Sequence, residues 1–475
     1  MFFFGISPEM PNSAFSDICW GFRKLWGCET LPGMGGEDPQ RGPPEVRFPE
    51  LLRCLAEHID RIGDARQQAK VTYTLRDCYL GAFAMFYLQD PSLLEFQRRF
   101  QQTVSSNNLK TVFGVGEIPA DSQLRDLIDR HSHGPLSDVY SNVLDRLSDS
   151  GILPRFEFLP QQYLLTLDGS QYFGSDQLQC PRCLVKEHKD GRREYSHQIL
   201  QATIVRPDVR HVIPLAPEFI ANEDGHDKQD CEINAAKRLI ARLRASGKPL
   251  PYIIVGDGLY SKQPFIVMLM QEPQPLHFLL VSKPTDHKDL FANVAGLRRG
   301  KLLERKEFRD KQDRLHRYEW VNDVPLNADP KSPSVNFLEY TIFAKDGSVN
   351  YHNSWVTDLA LDQQSVEWIT RGGRARWKIE NESFNTLKNQ GYHLEHNFGH
   401  GRQYLSEALF LLNLLAFFFH QIFELVDGLY QQARAGFSAR REYWNAIRNS
   451  FRMFLFRSWD EVLQRINSPP LPAFP

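Results

Sequence analysis

Two short apolar runs that each end on an aspartate constrain this chain more than any other feature in it. Tyr163 to Leu167 lead into Asp168 in YLLTLDGS, and Tyr252 to Val255 lead into Asp257 in YIIVGDGLYS. Nearly continuous apolar runs of this length predict strands buried on both faces, as found in sheets covered by helices. Each aspartate then closes its strand. A third acid, Glu380, sits in RARWKIENESFNTLK, where the spacing predicts a helix and puts Arg376 and Glu380 on one face. Two strand-end carboxylates and one on a covering helix can gather hard oxygen ligands around Mg2+, provided that the fold brings them together.

At 475 residues the chain is too long for one ordinary core, so a few domains or large insertions are expected. A formal net charge of -2 argues against a polycation that simply coats nucleic acid. The cations are nevertheless clustered. Arg298, Arg299, Lys301, Arg305, Lys306 and Arg309 begin one crowded segment, and Arg434, Arg440, Arg441, Arg448, Arg452 and Arg457 lie in another. Such clusters either track a phosphate backbone or form solvated faces. Seven cysteines, an odd number with no basic segment and cleavage site ahead of them, argue against a disulfide framework and for a reducing, cytoplasmic setting. The apolar stretch Leu405 to Val426 is interrupted by Glu407, Asn413, His420 and Glu424, which predicts a buried helix and no membrane partner.

The first 45 residues, rich in Gly and Pro, read as an irregular arm. Residues 46–155 carry helical spacing with capping residues, giving an all-helical N-terminal domain with DNA as one candidate ligand. From residue 160 the order is β-β-β-α-β-α-β, with acids after the first and fourth strands. Residues 286–361 turn to aromatic and β-branched strands around the Asp346-Gly347 turn, a β-rich insertion. Helix resumes near Gln363. A basic helical tail occupies 431–475.

That strand order resembles the core of the ribonuclease H-like fold, a mixed α/β sheet flanked by helices. The Glu380 segment further resembles the catalytic helix of bacterial insertion-sequence DDE transposases, whose signature is tyrosine, two residues, arginine, three residues, glutamate, six residues, lysine. Arg376 and Glu380 keep that spacing, Gly373 stands at the tyrosine, and the lysine falls on Leu387 with Lys388 one residue late. A rival register uses Glu382; about 200° of helix separates it from Glu380, so only one can face the aspartates. Glu380 keeps the Arg-Trp-x-Ile-Glu frame and is preferred.

The resemblance covers roughly 160–430 and implies a transposase that binds the ends of a mobile element, cuts them and joins the 3′ ends to target DNA. Asp168, Asp257 and Glu380 would hold two Mg2+ (or Mn2+) ions. Arg376, Lys388, Arg298, Arg299 and Lys301 would hold phosphates, with His396 and His400 assisting at the DNA ends or capping helices. Double-stranded DNA and a second copy of the chain are the implied partners. A nuclease of the same fold without strand transfer, or a DNA-binding descendant without activity, are the alternatives.

Separately, Cys180 and Cys183 with His188 and His197 downstream match the ligand types of a small structural zinc knuckle, with Cys231 as a substitute ligand. Free thiols are the other reading.

Overall fold

The computed structural model describes residues 41–67, 71–222 and 229–468. Most of the arm expected over 1–45 therefore lies outside the described residues. Among the described residues six α-helices come first: α1 (Phe48–Ile59), α2 (Leu75–Tyr87), α3 (Leu93–Phe100), α4 (Thr103–Phe113), α5 (Asp121–Asp129) and α6 (Gly134–Asp149). Thr74 and Ser92 cap α2 and α3 by accepting from Asp77 N and Glu95 N.

Twelve strands then share one sheet. The short β1 (Glu157–Leu159) pairs with the long β2 (Gln162–Ser175). Strand β4 (Arg193–Arg206) runs antiparallel to β2, and three short strands share its outer edge in succession: β3 (Leu184–Glu187), β6 (Glu218–Ile220) and β5 (Val209–Pro214). Helix α7 (Glu232–Arg244) crosses over to β7 (Tyr252–Gly256), and α8 (Gln263–Leu269) crosses to β8 (His277–Val281). Both of these strands are parallel to their inner neighbours. The order β5-β4-β2-β7-β8, with only β4 reversed against β2 and its parallel neighbours, is the ribonuclease H-like sheet.

The β-rich segment after α9 (Lys288–Arg299) does not stand apart from that sheet. Strands β9 (Glu304–Arg309), β10 (Leu315–Pro325), β11 (Ser334–Phe343) and β12 (Val349–Thr357) form an antiparallel meander, and β12 pairs with β8. The reason is an edge that needs covering. Phe278 to Val281 are buried on both faces, so an unpaired β8 would leave its backbone groups unsatisfied beside an apolar surface.

Helix α10 (Val366–Arg374) and α11 (Asn385–Asn389) flank a π-helical turn, Ile379–Phe384. Helix α12 (Leu405–Val426) follows, then α13 (Gly428–Ala435), α14 (Arg440–Met453) and α15 (Trp459–Asn467). By length and composition α12 could cross a membrane, but it lies buried against α2, α5, α6, α13 and β5. Each of its polar interruptions has a partner within the protein. Glu407 pairs with Arg182 at 2.6 Å, Glu424 with Arg440 at 2.8 Å, Asn413 donates to Tyr392 O at 2.9 Å, and His420 shares a 2.6 Å hydrogen bond with the Tyr392 hydroxyl. The start of α12 is capped from a distant helix, because the Asp129 carboxylate accepts from the backbone N–H groups of residues 402 to 405.

Candidate active site

The register between β2 and β7 explains why two acids so far apart in sequence meet. Tyr163 lies beside Tyr252 and Thr166 beside Val255; carried two residues on, the same register puts Asp168 level with Asp257. Registered residues of parallel strands share a face, and neighbouring strands are only about 4.8 Å apart. Contrary to expectation, Asp168 does not end its strand, because β2 continues through Ser175 alongside β4, whereas Asp257 does directly follow the end of β7. Asp168 instead marks where the buried half of β2 gives way to a half-exposed one.

The third acid arrives on irregular helix. Between α10 and the π-helical turn the chain turns at residues 375 and 376, and Arg376 there lies 2.8 Å from Glu380 and 3.7 Å from Asp168. One guanidinium thus bridges two of the acids. Arg376 joins Glu380 to Asp168, whereas Glu382 acts on Lys378, so Glu380 is the glutamate on the Asp168 side. Trp377 beside Arg376 is exposed, and Phe384 and Leu387 pack the segment down.

Gly373 has a positive structural reason. A side chain there would meet the indole of the buried Trp355, with its first carbon 2.6 Å from Nε1. Trp355 on β12 therefore occupies the space a tyrosine would need, and the close approach seats α10, and the turn after it, on the sheet.

Sequence reasoning missed a fourth carboxylate. Glu232, in the first turn of α7, accepts from the Gly169 backbone N–H and from the Tyr260 hydroxyl. Gly169 is required for this, since any side chain on it would collide with the Glu232 carboxylate. Tyr260 is fully buried, so the aromatic that follows Asp257 serves to orient Glu232. Two signals in the sequence point to it: an acid in the first turn of an amphipathic helix, and a glycine directly after Asp168.

The electrostatics are unbalanced. Burial pushes the Asp168 carboxyl up to about 7; Arg376 opposes this, while Glu380, Glu232 and Asp257 add to it. Glu232 is likewise raised, first by burial and then by Asp257. Three acids and a single cation act on a half-buried aspartate, so a divalent cation would relieve a repulsion that the protein leaves in place. The donor set fits Mg2+ or Mn2+, since the acids present hard carboxylate oxygens.

The remaining predicted residues are dispersed. Lys388 pairs with Glu395 at 2.9 Å. Arg298 pairs with Glu339, and lies 3.6 Å from Glu319. Arg299 and Lys301 are exposed with no ion pair among the described residues. His396 is exposed, edge-on to the Phe398 ring. His400 belongs to a separate cluster with Cys180, Cys183 and His197. His188, expected in that cluster, is not in it; its Nε2 lies 3.1 Å from Glu194 across the β3–β4 hairpin. Cys231 is exposed at the start of α7 and also lies outside.

The fold and this arrangement define a ribonuclease H-like protein with a carboxylate cluster across the central strands β2 and β7. No family model matches the chain, and no curated protein does. Among solved structures it is similar to the piggyBac transposase synaptic complex with hairpin DNA, at 11% identity over 90% of this chain and 82% of that one, with a TM-score of 0.37.

Proposed function

We propose that this protein is a DDE-type transposase that binds the ends of a mobile element, cleaves the DNA there and joins the freed 3′ ends to target DNA. The observation that carries the reading is the meeting of Asp168, Asp257 and Glu380 across the central strands β2 and β7, with Glu232 beside them and Arg376 as the cation that acts on Asp168. Bound Mg2+ would supply activation of the attacking oxygen and stabilisation of the leaving 3′ oxygen. Asp168, central to the cluster, would hold these ions together with Asp257 and Glu380. Glu232, held by Tyr260 and the Gly169 N–H, orients this shell. Arg376 holds Asp168 and Glu380 together in the free protein and can turn to a phosphate oxygen when DNA enters.

The origin in a bacterial insertion sequence rests on the Arg376-to-Glu380 spacing alone. Two element ends call for two active sites, so the working form is expected to be a dimer on DNA. The test is a strand-transfer assay with candidate element ends, a target plasmid and Mg2+. Joined products support the proposal. Cutting without joining makes the protein a nuclease, and binding without either makes it an inactive descendant.

A further inference from the structure

Away from the carboxylates, four side chains from three separate parts of the chain aim their ligand atoms at one point. Cys180 and Cys183 lie on a turn closed by the Cys183 N–H to Cys180 O hydrogen bond of 3.1 Å, His197 is on β4, and His400 is in the loop before α12. We propose that Cys180, Cys183, His197 and His400 form a structural zinc site.

The distances match the edges of a zinc tetrahedron. With Zn–S near 2.3 Å and Zn–N near 2.05 Å, tetrahedral geometry gives edges of about 3.8 Å between sulfurs, about 3.6 Å from sulfur to nitrogen and about 3.3 Å between nitrogens. The two Sγ atoms are 3.7 Å apart. His197 Nε2 is 3.5 Å from each of them, and His400 Nε2 is 3.3 Å from Cys183 Sγ. The two Nε2 atoms are 3.2 Å apart. All four ligand atoms lie within 4.8 Å of one another. A disulfide does not account for this, because its sulfurs would be about 2.05 Å apart and the imidazoles would have no reason to converge.

Charge and surroundings agree. Zn2+ displaces the two thiol protons to solvent, and two thiolates with two neutral imidazoles make the unit electrically neutral. Neutrality suits a position where Cys183 and His197 are buried and Phe173 lies 4.5 Å from the His400 ring and 5.7 Å from the His197 ring. The site would tie His400, 217 residues from Cys183, to the hairpin that extends the Asp168 strand. It would thereby fix the loop between the Glu380 segment and α12 against β2 and β4.

The test is the zinc content of the untagged full chain by elemental mass spectrometry, beside His188→Ala, His400→Ala and Cys183→Ser. The wild type and His188→Ala are expected to hold about one zinc per chain, and the other two well under half of that. Should those variants fail to fold, chelated wild-type protein titrated with Co2+ gives a second reading: thiolate-to-cobalt charge transfer with tetrahedral d–d bands, displaced by Zn2+. Undiminished zinc in His400→Ala and Cys183→Ser, or a wild type with neither zinc nor a cobalt–thiolate band, overturns the proposal. Loss of zinc from His188→Ala with retention in His400→Ala overturns the ligand assignment. Neither readout involves DNA, so the outcome is independent of the function proposed above.

Discussion

Around Asp168, three carboxylates and one guanidinium act on a half-buried acid, whereas on β9 to β11 cations and acids are matched across the strands. Arg317 sits opposite Glu307 in the ladder and pairs with it at 2.6 Å; Arg305 sits opposite Glu319 and pairs with it at 2.8 Å. Arg314 reaches Asp310 at 2.6 Å, and Lys306 reaches Glu367 at 3.2 Å. Both regions belong to the same sheet, and both stand out in the sequence for their charge. The difference is that the insertion neutralises itself through register, while the carboxylate cluster leaves like charges together. Unmatched charge marks the place that needs an outside partner. A matched surface makes no such demand, which shifts attention within the basic segment from Arg298 to Arg299 and Lys301.

Breaking the carboxylate cluster is expected to have the largest effect. Asp168→Ala or Asp257→Ala should reduce Mg2+-dependent cleavage of element ends to background while DNA binding, measured by mobility shift, persists. Glu232→Gln should act more mildly, about 10- to 100-fold in metal affinity or cleavage rate, as removal of an orienting group does.

The same cluster should appear in the pH dependence of stability. In metal-free protein the folded chain holds a proton on Asp168 up to about pH 7, well above the ordinary carboxyl value, so between those limits the folded state binds more protons than the unfolded one. This contribution is greatest at low pH and is lost as pH rises through about 7. Melting temperature should therefore fall across that window, less so in Asp168→Asn, and Mg2+ should restore it in the wild type only.

On the matched side the expected effects are smallest. Arg309→Ala, breaking the exposed 3.3 Å ion pair with Asp313, should change unfolding free energy by less than about 1 kcal/mol in a denaturant titration. It should leave the salt dependence of DNA binding unaltered. Arg299→Ala with Lys301→Ala should lower that salt slope by about two, one for each phosphate no longer neutralised.

The sequence made the sheet legible because each of its two central strands carries an apolar run that leads into an acid, and the β-β-β-α-β-α-β order follows from turn and cap residues. What it could not supply was register. Only the β2–β7 pairing puts Asp168 level with Asp257, and only the close approach at Gly169 brings in Glu232. Gly373 stands where the motif has tyrosine because Trp355, distant in sequence, fills that space. His400 and His188 are chemically equivalent in a sequence; the long-range fold decides between them, and it places His400 with the cysteines.

The most direct test of the central claim is Mn2+ binding by titration calorimetry, comparing the wild type with the Asp168→Asn, Asp257→Asn double variant at pH 8. The wild type is expected to bind Mn2+ at the carboxylate cluster and the folded double variant to lose that binding. Equal binding by the two proteins, or none by the wild type, would contradict the account.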